Sequence, residues 1–219
     1  MRLVFFGTGA FALPALKALA DHIILVVTQP DRPSGRAGKS TPSLAKLLAL
    51  DLGLPCASPE KARDQEFVKQ LIDLEPEALV VASYGQILSQ AVLDSARRGG
   101  INLHGSILPS YRGAAPIQRC LFNGDAETGV TLMQMDRGMD TGDIIKIERL
   151  TIEPEETYGA LQDRLAIVAA AMAVEWMPKI VAGDYSKIPQ DGTKATPAPK
   201  VEKIEAEVKF GWLFDRQLT

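Results

Sequence analysis

The chain has 219 residues, of which 46% are apolar and 23% charged, and its formal net charge is −3. This balance excludes wholesale disorder, a collagen-like repeat and a wholly basic surface, and the length is sufficient for a large hydrophobic core. The two cysteines, Cys56 and Cys120, form neither a disulfide framework nor a metal-ligand spacing, so a reducing compartment is expected. Because the longest apolar runs are strand-sized and the N-terminus lacks a signal-peptide pattern, we expect a cytoplasmic protein with no membrane-spanning segment.

The first half of the chain alternates β-rich runs with helical patterns. Residues 2–6 and 22–28 are β-rich, and residues 11–20 between them have apolar groups at helical spacing, which predicts a βαβ unit in a parallel sheet. The alternation then predicts helices at 43–52, 64–74 and 90–97 and strands at 54–58, 79–83 and 100–104.

The pattern changes after residue 104. An irregular loop rich in Gly, Pro and Ser at 105–115 precedes a predicted helix at 116–122, strands at 129–135 and 143–148, and a long alanine-rich helix at 158–181. We therefore expect an α/β domain with a mostly parallel sheet over residues 1–187. Residues 188–200 are typical of a linker, and residues 201–219 are too short for a second domain.

The sequence GTGAFA at 7–12 fits a dinucleotide-binding fingerprint, and Asp31 lies roughly where an acidic ribose partner is expected. The alternative is a tight strand-to-helix turn that needs glycine. Nothing else in the chain supports a nicotinamide or flavin cofactor, so the turn is the favoured interpretation.

Asn102 and His104 lie two residues apart at the end of a predicted parallel strand, so both side chains point to one face. Ligands of open α/β sheets bind beyond such strand ends. A buried structural histidine is the alternative. The chain has only two histidines, and an irregular loop follows this one, which favours a functional role.

Residues 136–143, DRGMDTGD, combine three acids with two glycines. A cation site is one interpretation, although the spacing is not that of an EF-hand, and a glycine-rich turn with solvated acids is another. A third is that one of these acids lies beside His104, if both loops lie at one end of the sheet.

Residues 29–42, QPDRPSGRAGKSTP, contain Arg32, Arg36 and Lys39 against Asp31. Proline and glycine are expected to keep this loop out of regular structure. A basic loop suits phosphate contact, and a merely exposed charged loop is the alternative.

Three runs together resemble the folate-dependent formyltransferases: NLHGSILP at 102–109, YRGAAPIQ at 111–118 and DTGD at 140–143. The run ETGVTLMQMD at 127–136 and the loop TQPDRP at 28–33 are similar to the branch that acts on methionyl-tRNA. The resemblance extends from residue 2 to about residue 200.

The resemblance implies a Rossmann-like formyltransferase fold with helices on both faces of the sheet. It implies formyl transfer from 10-formyltetrahydrofolate to the α-amino group of methionine on initiator tRNA, by a monomer with no metal and no NAD. The alternatives are a formyltransferase acting on a nucleotide sugar or small ribonucleotide, and a folate-binding fragment weak in tRNA binding.

The resemblance also implies a catalytic set of Asn102, His104 and Asp140. Negative charge builds on the formyl oxygen during attack, and the Asn102 amide and a protonated His104 are suitable donors to it. Asp140 is expected to hold His104 and an ordered water that relay protons. The tRNA contacts implied are Arg32, Arg36 and Lys39. The folate contacts implied are Ser106, Ile107, Leu108, Pro109, Tyr84, Gly85, Gln86, Ile87 and Leu88.

Two departures from the family pattern stand out. Relatives usually carry Thr-Pro and then an acidic residue where this chain has Thr8, Gly9 and Ala10, which leaves the ligand of that turn open. Family members also carry a C-terminal β-barrel that helps bind tRNA, and this chain stops where that domain would begin. We therefore expect weaker tRNA affinity than in a two-domain relative.

Overall fold

A computed structural model describes residues 1–34 and 39–206, and nine strands lie within these residues. They are β1 (Leu3–Gly7), β2 (Ile23–Val27), β3 (Arg32–Ser34), β4 (Lys39–Thr41), β5 (Cys56–Ala57), β6 (Ala78–Ala82), β7 (Gly100–His104), β8 (Glu127–Gln134) and β9 (Ile144–Thr151). Seven of them form one sheet in the order β5-β2-β1-β6-β7-β8-β9. The first five strands in that order are parallel, and β8 and β9 are antiparallel additions.

The α-helices within the described residues are α1 (Leu13–Ala18), α2 (Leu44–Asp51), α3 (Gln65–Asp73), α4 (Gln90–Leu93), α5 (Pro116–Phe122) and α6 (Tyr158–Ala182). Short 3-10 turns occupy Ala10–Ala12, Ala20–His22, Gly192–Lys194 and Lys203–Ala206. The side chains of Ser43, Ser89 and Thr157 cap α2, α4 and α6, each accepting a backbone N–H of the first turn.

Alternating side chains of the central strands fill two separate cores. Phe5 and Val80 belong to the core that α1, α2, α5 and α6 cover. Phe6 and Leu79 belong to the core that α3 and α4 cover on the opposite face. The predicted α/β class, the mostly parallel sheet and the helices on both faces are confirmed.

The sheet positions a ligand crevice. Strand β1 pairs with β2 on one side and with β6 on the other, so the strand order reverses beside β1. Crevices of open parallel sheets form at the carboxyl ends of the strands that flank such a point. The loops after β6 and β7 begin at this edge.

Three element predictions needed correction. The helix predicted at 11–20 is a 3-10 turn followed by the six-residue α1. The helix predicted at 90–97 ends at Leu93, since the Ser95 hydroxyl bonds to the carbonyl of Val92. The loop at 29–42 is not wholly irregular, because β3 and β4 pair as an antiparallel hairpin. A two-stranded hairpin has only outer edges, where Pro33 is tolerated.

The segment predicted as a linker lies against the folded domain. Ile188 exchanges two backbone hydrogen bonds with Ile144, each 2.8 Å from N to O. Further along, Pro197 bridges to Arg112, and Ala198 is fully buried. The division into a domain, a linker and a tail stays a prediction, and residues 207–219 lie outside the described residues.

Helix α6 bears on the expectation that no segment spans a membrane, which stays a prediction. Within the described residues it is the one helix that is long and apolar enough to do so, by length and composition. Half of its most apolar stretch is buried in the protein, as in the core helix of a soluble protein.

Candidate active site

A cavity of about 390 Å³ opens at the carboxyl edge of β6 and β7. One wall is the chain that follows β6, another is the loop between β8 and β9, and the floor includes Asn102 and His104 of β7. The volume lies within the range of small-molecule sites. Phe11, Tyr158 and Gln162 also line this cavity, and the sequence pattern gave no sign of their part because each fits a helix.

The structure brings Asn102, His104 and Asp140 together at this edge. Asn102 and His104 are 8% and 6% exposed. The Asn102 Nδ2 donates to Asp140 Oδ1 over 3.3 Å, and His104 Nδ1 lies 3.6 Å from the same oxygen. The placement is the one expected from the sequence, and the catalytic role stays a prediction.

The hydrogen-bond partner of His104 determines where its proton resides. Its Nε2 lies 2.9 Å from the backbone carbonyl oxygen of Tyr111, which can only accept, so Nε2 carries the hydrogen. In the neutral ring Nδ1 is then unprotonated and faces Asp140.

Tyr111 is itself held firmly. Its hydroxyl donates to Asp125 over 2.6 Å and accepts from Asn123 over 2.7 Å. Its backbone has a φ of 64°, a left-handed conformation that a non-glycine residue adopts only at a cost. The carbonyl that accepts from His104 is thus fixed in place.

Asp140 also has a left-handed φ, of 54°, at the end of the loop between β8 and β9. Its second carboxylate oxygen, Oδ2, accepts from the backbone N–H of Gly113 over 2.9 Å. Gly113 has to be glycine, since its φ is 130° and a Cβ there would lie 2.6 Å from the Ala198 carbonyl oxygen. The carboxylate is thus bonded through both oxygens.

The predicted folate wall, residues 84–88, lines the cavity in full. The Tyr84 carbonyl accepts from Thr8 Oγ1 over 2.8 Å and from Gln29 Nε2 over 3.2 Å. Gln86 Oε1 accepts from the backbone N–H of Ala62 over 2.9 Å. Burial raises the pKa of the Tyr84 phenol to about 12, so the ring is neutral, and it packs edge-to-face on Phe6.

The other predicted folate contacts, Ser106, Ile107, Leu108 and Pro109, do not line this cavity, and their contact with the folate stays a prediction. The Ser106 hydroxyl donates to the Ser110 carbonyl, and the Ser106 carbonyl accepts from the Thr131 hydroxyl, both over 2.6 Å. These bonds tie Ser106 to the loop that follows it and to β8. The run therefore shapes the loop that carries Tyr111 and Gly113.

The turn at 7–9 braces the cavity wall through the Thr8 hydroxyl. Gly7 is packed so closely that a Cβ would lie 2.9 Å from the Cβ of Ala12. Asp31 forms an ion pair with Lys46 at 2.8 Å. These contacts support the tight-turn interpretation over the dinucleotide one.

The acids of the loop at 136–143 point in different directions. Asp136 accepts from the Gly138 N–H and the Thr141 hydroxyl in its own loop, and Asp143 pairs with Lys187 at 3.2 Å. Asp140 alone faces His104. Within residues 1–34 and 39–206, no group of three or more His, Cys, Asp or Glu side chains is arranged to hold a metal ion.

The expected tRNA contacts lie on the hairpin of β3 and β4. Arg32 is exposed on β3, and Lys39 begins β4. Arg36 lies outside the described residues.

A family model described as formyl transferase matches residues 1–177. The chain belongs to the formyl transferase family. The resemblance drawn from the sequence motifs is confirmed, and so is the Rossmann-like formyltransferase fold.

Two curated relatives in the formyl transferase family are named methionyl-tRNA formyltransferase. The chain is 50% identical to the one from Moorella thermoacetica over 211 residues, which cover 95% of this chain and 68% of that protein. It is 44% identical to the one from Nitrosospira multiformis over 220 residues, which cover 99% of this chain and 70% of that protein.

Solved formyl transferase structures share the fold at lower identity. An N-formyltransferase from Helicobacter canadensis, in complex with folinic acid and dTDP-3-aminofucose, superposes with a TM-score of 0.73 at 18% identity, covering 96% of this chain and 75% of that one. Glycinamide ribonucleotide transformylase 1 from Symbiobacterium toebii gives a TM-score of 0.69 at 16% identity, covering 84% and 88%.

Proposed function

We propose that this protein transfers a formyl group from 10-formyltetrahydrofolate to the α-amino group of methionyl initiator tRNA. The observation that carries the proposal is the 50% identity to a methionyl-tRNA formyltransferase over 95% of the chain. The solved structures of enzymes named for sugar or ribonucleotide substrates share the fold at only 16 to 25% identity, so another amine is not favoured.

The cavity suits a folate. A pterin is flat, with polar edges and apolar faces, and it needs backbone donors and acceptors between apolar side chains. The chain from Tyr84 to Leu88 offers that combination, and Met135 and Met139 add apolar surface from the facing loop. The Helicobacter canadensis structure holds folinic acid, a formylated folate, in the same fold.

When bound, the folate supplies an activated formyl group. Asn102 has two N–H groups on Nδ2, and only one is needed by Asp140, so the second can donate to the formyl oxygen. Protonated His104 carries a second N–H on Nδ1, and this donor also faces the cavity. Both groups are nearly buried, which strengthens their interaction with developing charge.

Asp140 completes the proton handling. Its Oδ1 lies 3.6 Å from His104 Nδ1, so it stabilises the imidazolium and orients the ring. Through an ordered water it takes the proton that the attacking amine releases and returns one to the departing folate nitrogen. Formyl transfer changes no oxidation state, and we propose that it needs neither a metal nor NAD.

The hairpin of β3 and β4 is proposed to reach the acceptor end of the tRNA. Arg32 is exposed there, and Arg36 and Lys39 add positive charge in the sequence. Lys and Arg that neutralise phosphates supply most of the sequence-independent affinity for nucleic acids. We further propose that the protein acts as a cytoplasmic monomer with no membrane partner, since one side of α6, including Leu161, Leu165 and Met177, is buried in the protein.

The test is a transfer assay with the purified protein and 10-formyltetrahydrofolate. Methionyl initiator tRNA, a dTDP-amino sugar and glycinamide ribonucleotide are offered separately as acceptors. We expect formylation of the tRNA alone. Formylation of a small amine with none of the tRNA would contradict the proposal, and folate binding without any transfer would indicate a binding fragment.

A further inference from the structure

The loop that carries Asp140 has a support outside the catalytic set. Gln190 lies in the segment after α6 and is half-buried. Its Nε2 donates to the backbone carbonyl oxygens of Asp140, over 2.9 Å, and Gly142, over 2.7 Å. One side-chain amide therefore holds the carbonyls on both sides of Thr141.

The other end of the same amide is held by Arg112. The Gln190 Oε1 accepts from Arg112 Nε over 3.1 Å and from Nη2 over 2.8 Å. A guanidinium only donates and a backbone carbonyl only accepts, so the orientation of the amide is fixed by its partners. Only a neutral side chain that has one acceptor and a donor with two hydrogens can bond to both the guanidinium and the two carbonyls.

This clasp, the set of Arg112, Gln190 and the carbonyls of Asp140 and Gly142, also connects to the Asp140 side chain. The residue after Arg112 is Gly113, whose N–H donates to Asp140 Oδ2. The segment around Gln190 is anchored independently by the Ile188 bridge and by Thr196, whose carbonyl accepts from the Arg112 N–H over 2.8 Å. Asp140 is thus held through its main chain and its side chain by one connected unit.

A left-handed φ at Asp140 is costly and persists only where its surroundings enforce it. Within the described residues, Gln190 is the side chain that bonds the Asp140 carbonyl. Without it the backbone can relax toward an ordinary conformation and take the carboxylate away from His104 Nδ1.

We propose that Gln190 is a positioning residue for the reaction: through its clasp with Arg112 it fixes the Asp140 carboxylate against His104. The proposal rests on the proposed function, because it concerns the rate of that formyl transfer. Gln190 does not line the cavity, so it acts through Asp140 and leaves folate binding to other residues.

The test compares Gln190→Met and Gln190→Glu with the wild type in formylation of methionyl-tRNA. Methionine keeps the length of the side chain but removes both the acceptor for Arg112 and the donor to the two carbonyls. Glutamate keeps the acceptor for Arg112 and loses the donor. We expect kcat to fall by about 10- to 100-fold in both variants, because small displacements of a catalytic group have effects of this size. The KM values for folate donor and tRNA are expected to stay within about twofold of wild type.

Gln70→Met, at an exposed glutamine on α3, is the matched control and should leave kcat unchanged. Full kcat in Gln190→Glu, or a raised KM with unchanged kcat, would overturn the proposal. If Gln190→Met does not fold, Gln190→Glu and Arg112→Lys replace it in the test. A fall in kcat with unchanged KM is again the result that supports the proposal. A wild type that formylates no methionyl-tRNA would instead overturn the proposed function.

Discussion

The chemistry of the site depends on which nitrogen of His104 is free. The Tyr111 carbonyl occupies Nε2–H, so Nδ1 alone is left to face Asp140 and the cavity. In this arrangement Nε2 orients the ring, and Nδ1 is left to carry the proton used in the proposed reaction. The left-handed backbone at Tyr111 belongs to the same residue whose carbonyl orients the ring.

Replacing His104 by alanine should lower kcat by about 10²- to 10³-fold, the usual cost of losing one donor to a developing oxyanion. The measurement is steady-state formylation of methionyl-tRNA, with folate affinity determined separately by equilibrium binding. His22→Ala is the matched control, since His22 is the other histidine and lies beside the N-terminus. Near-normal kcat in His104→Ala with intact folate binding would contradict the assigned role.

How far the sequence predicts the site differs from residue to residue. Asn102 and His104 share a face because strand periodicity is local, so their pairing could be predicted. Asp140 could be placed only by family resemblance, and Gln190 not at all, because its role depends on contacts between residues 50 positions apart. The folate contacts predicted at Ser106–Pro109 also came from the family resemblance alone, and they stay predictions.

At the scale of elements, α6 shows how caps define a helix. Thr157 is its N-cap, and Gly183, which has a φ of 84°, is its C-cap. Its length was predictable from the pattern, since both signals are local. The hairpin of β3 and β4 was not predictable, because glycine and proline disfavour strands. These two strands form only because they pair with each other.

The glycines at the two ends of α6, Gly159 in its first turn and Gly183 just after its last residue, should respond oppositely to alanine. Gly159 lies in the first turn with open space around it, so Gly159→Ala should stabilise the protein by up to about 1 kcal/mol. Gly183→Ala forces a side chain into a left-handed residue and toward the Arg98 guanidinium, and should destabilise by about 1–3 kcal/mol. Urea unfolding of both variants checks the pair, and equal effects would contradict this account.

Glu156, which directly precedes the N-cap of α6, makes the stability of the protein depend on pH. Burial raises the pKa of its carboxyl, but hydrogen bonds from Arg164 and from the Glu153 N–H outweigh burial and hold it below its ordinary value of 4.5. The stabilisation is present above that value and is lost as pH falls through the lowered pKa. Glu156→Gln should therefore reduce the free energy of unfolding at pH 7 and have less effect at pH 3, whereas Glu155→Gln, at an exposed neighbour, should do neither.

At the scale of the whole molecule, the cavity and the hairpin of β3 and β4 lie at one end of the sheet. The cavity lies at the carboxyl ends of β6 and β7, and the hairpin of β3 and β4 follows β2 on the β5 side. Gln29 joins the two regions, since it immediately follows Thr28 after β2 and donates to the Tyr84 carbonyl of the cavity wall. Parallel-sheet topology alone places both regions at one end of the sheet, which is why the general location of the site follows from the element order.

With a net charge of −3, the molecule as a whole repels a polyanion. Binding of tRNA therefore has to depend on a local group of positive charges. Arg32→Ala should therefore weaken tRNA binding and reduce the slope of log affinity against log salt by about 0.7 to 0.9, the value for one lost phosphate contact. Filter binding between low and physiological salt measures that slope. Arg149→Ala, on β9 at the opposite edge of the sheet, is the matched control and should leave the slope unchanged. An equal change in both variants would mean that the tRNA responds to total charge, and the hairpin would lose its proposed role.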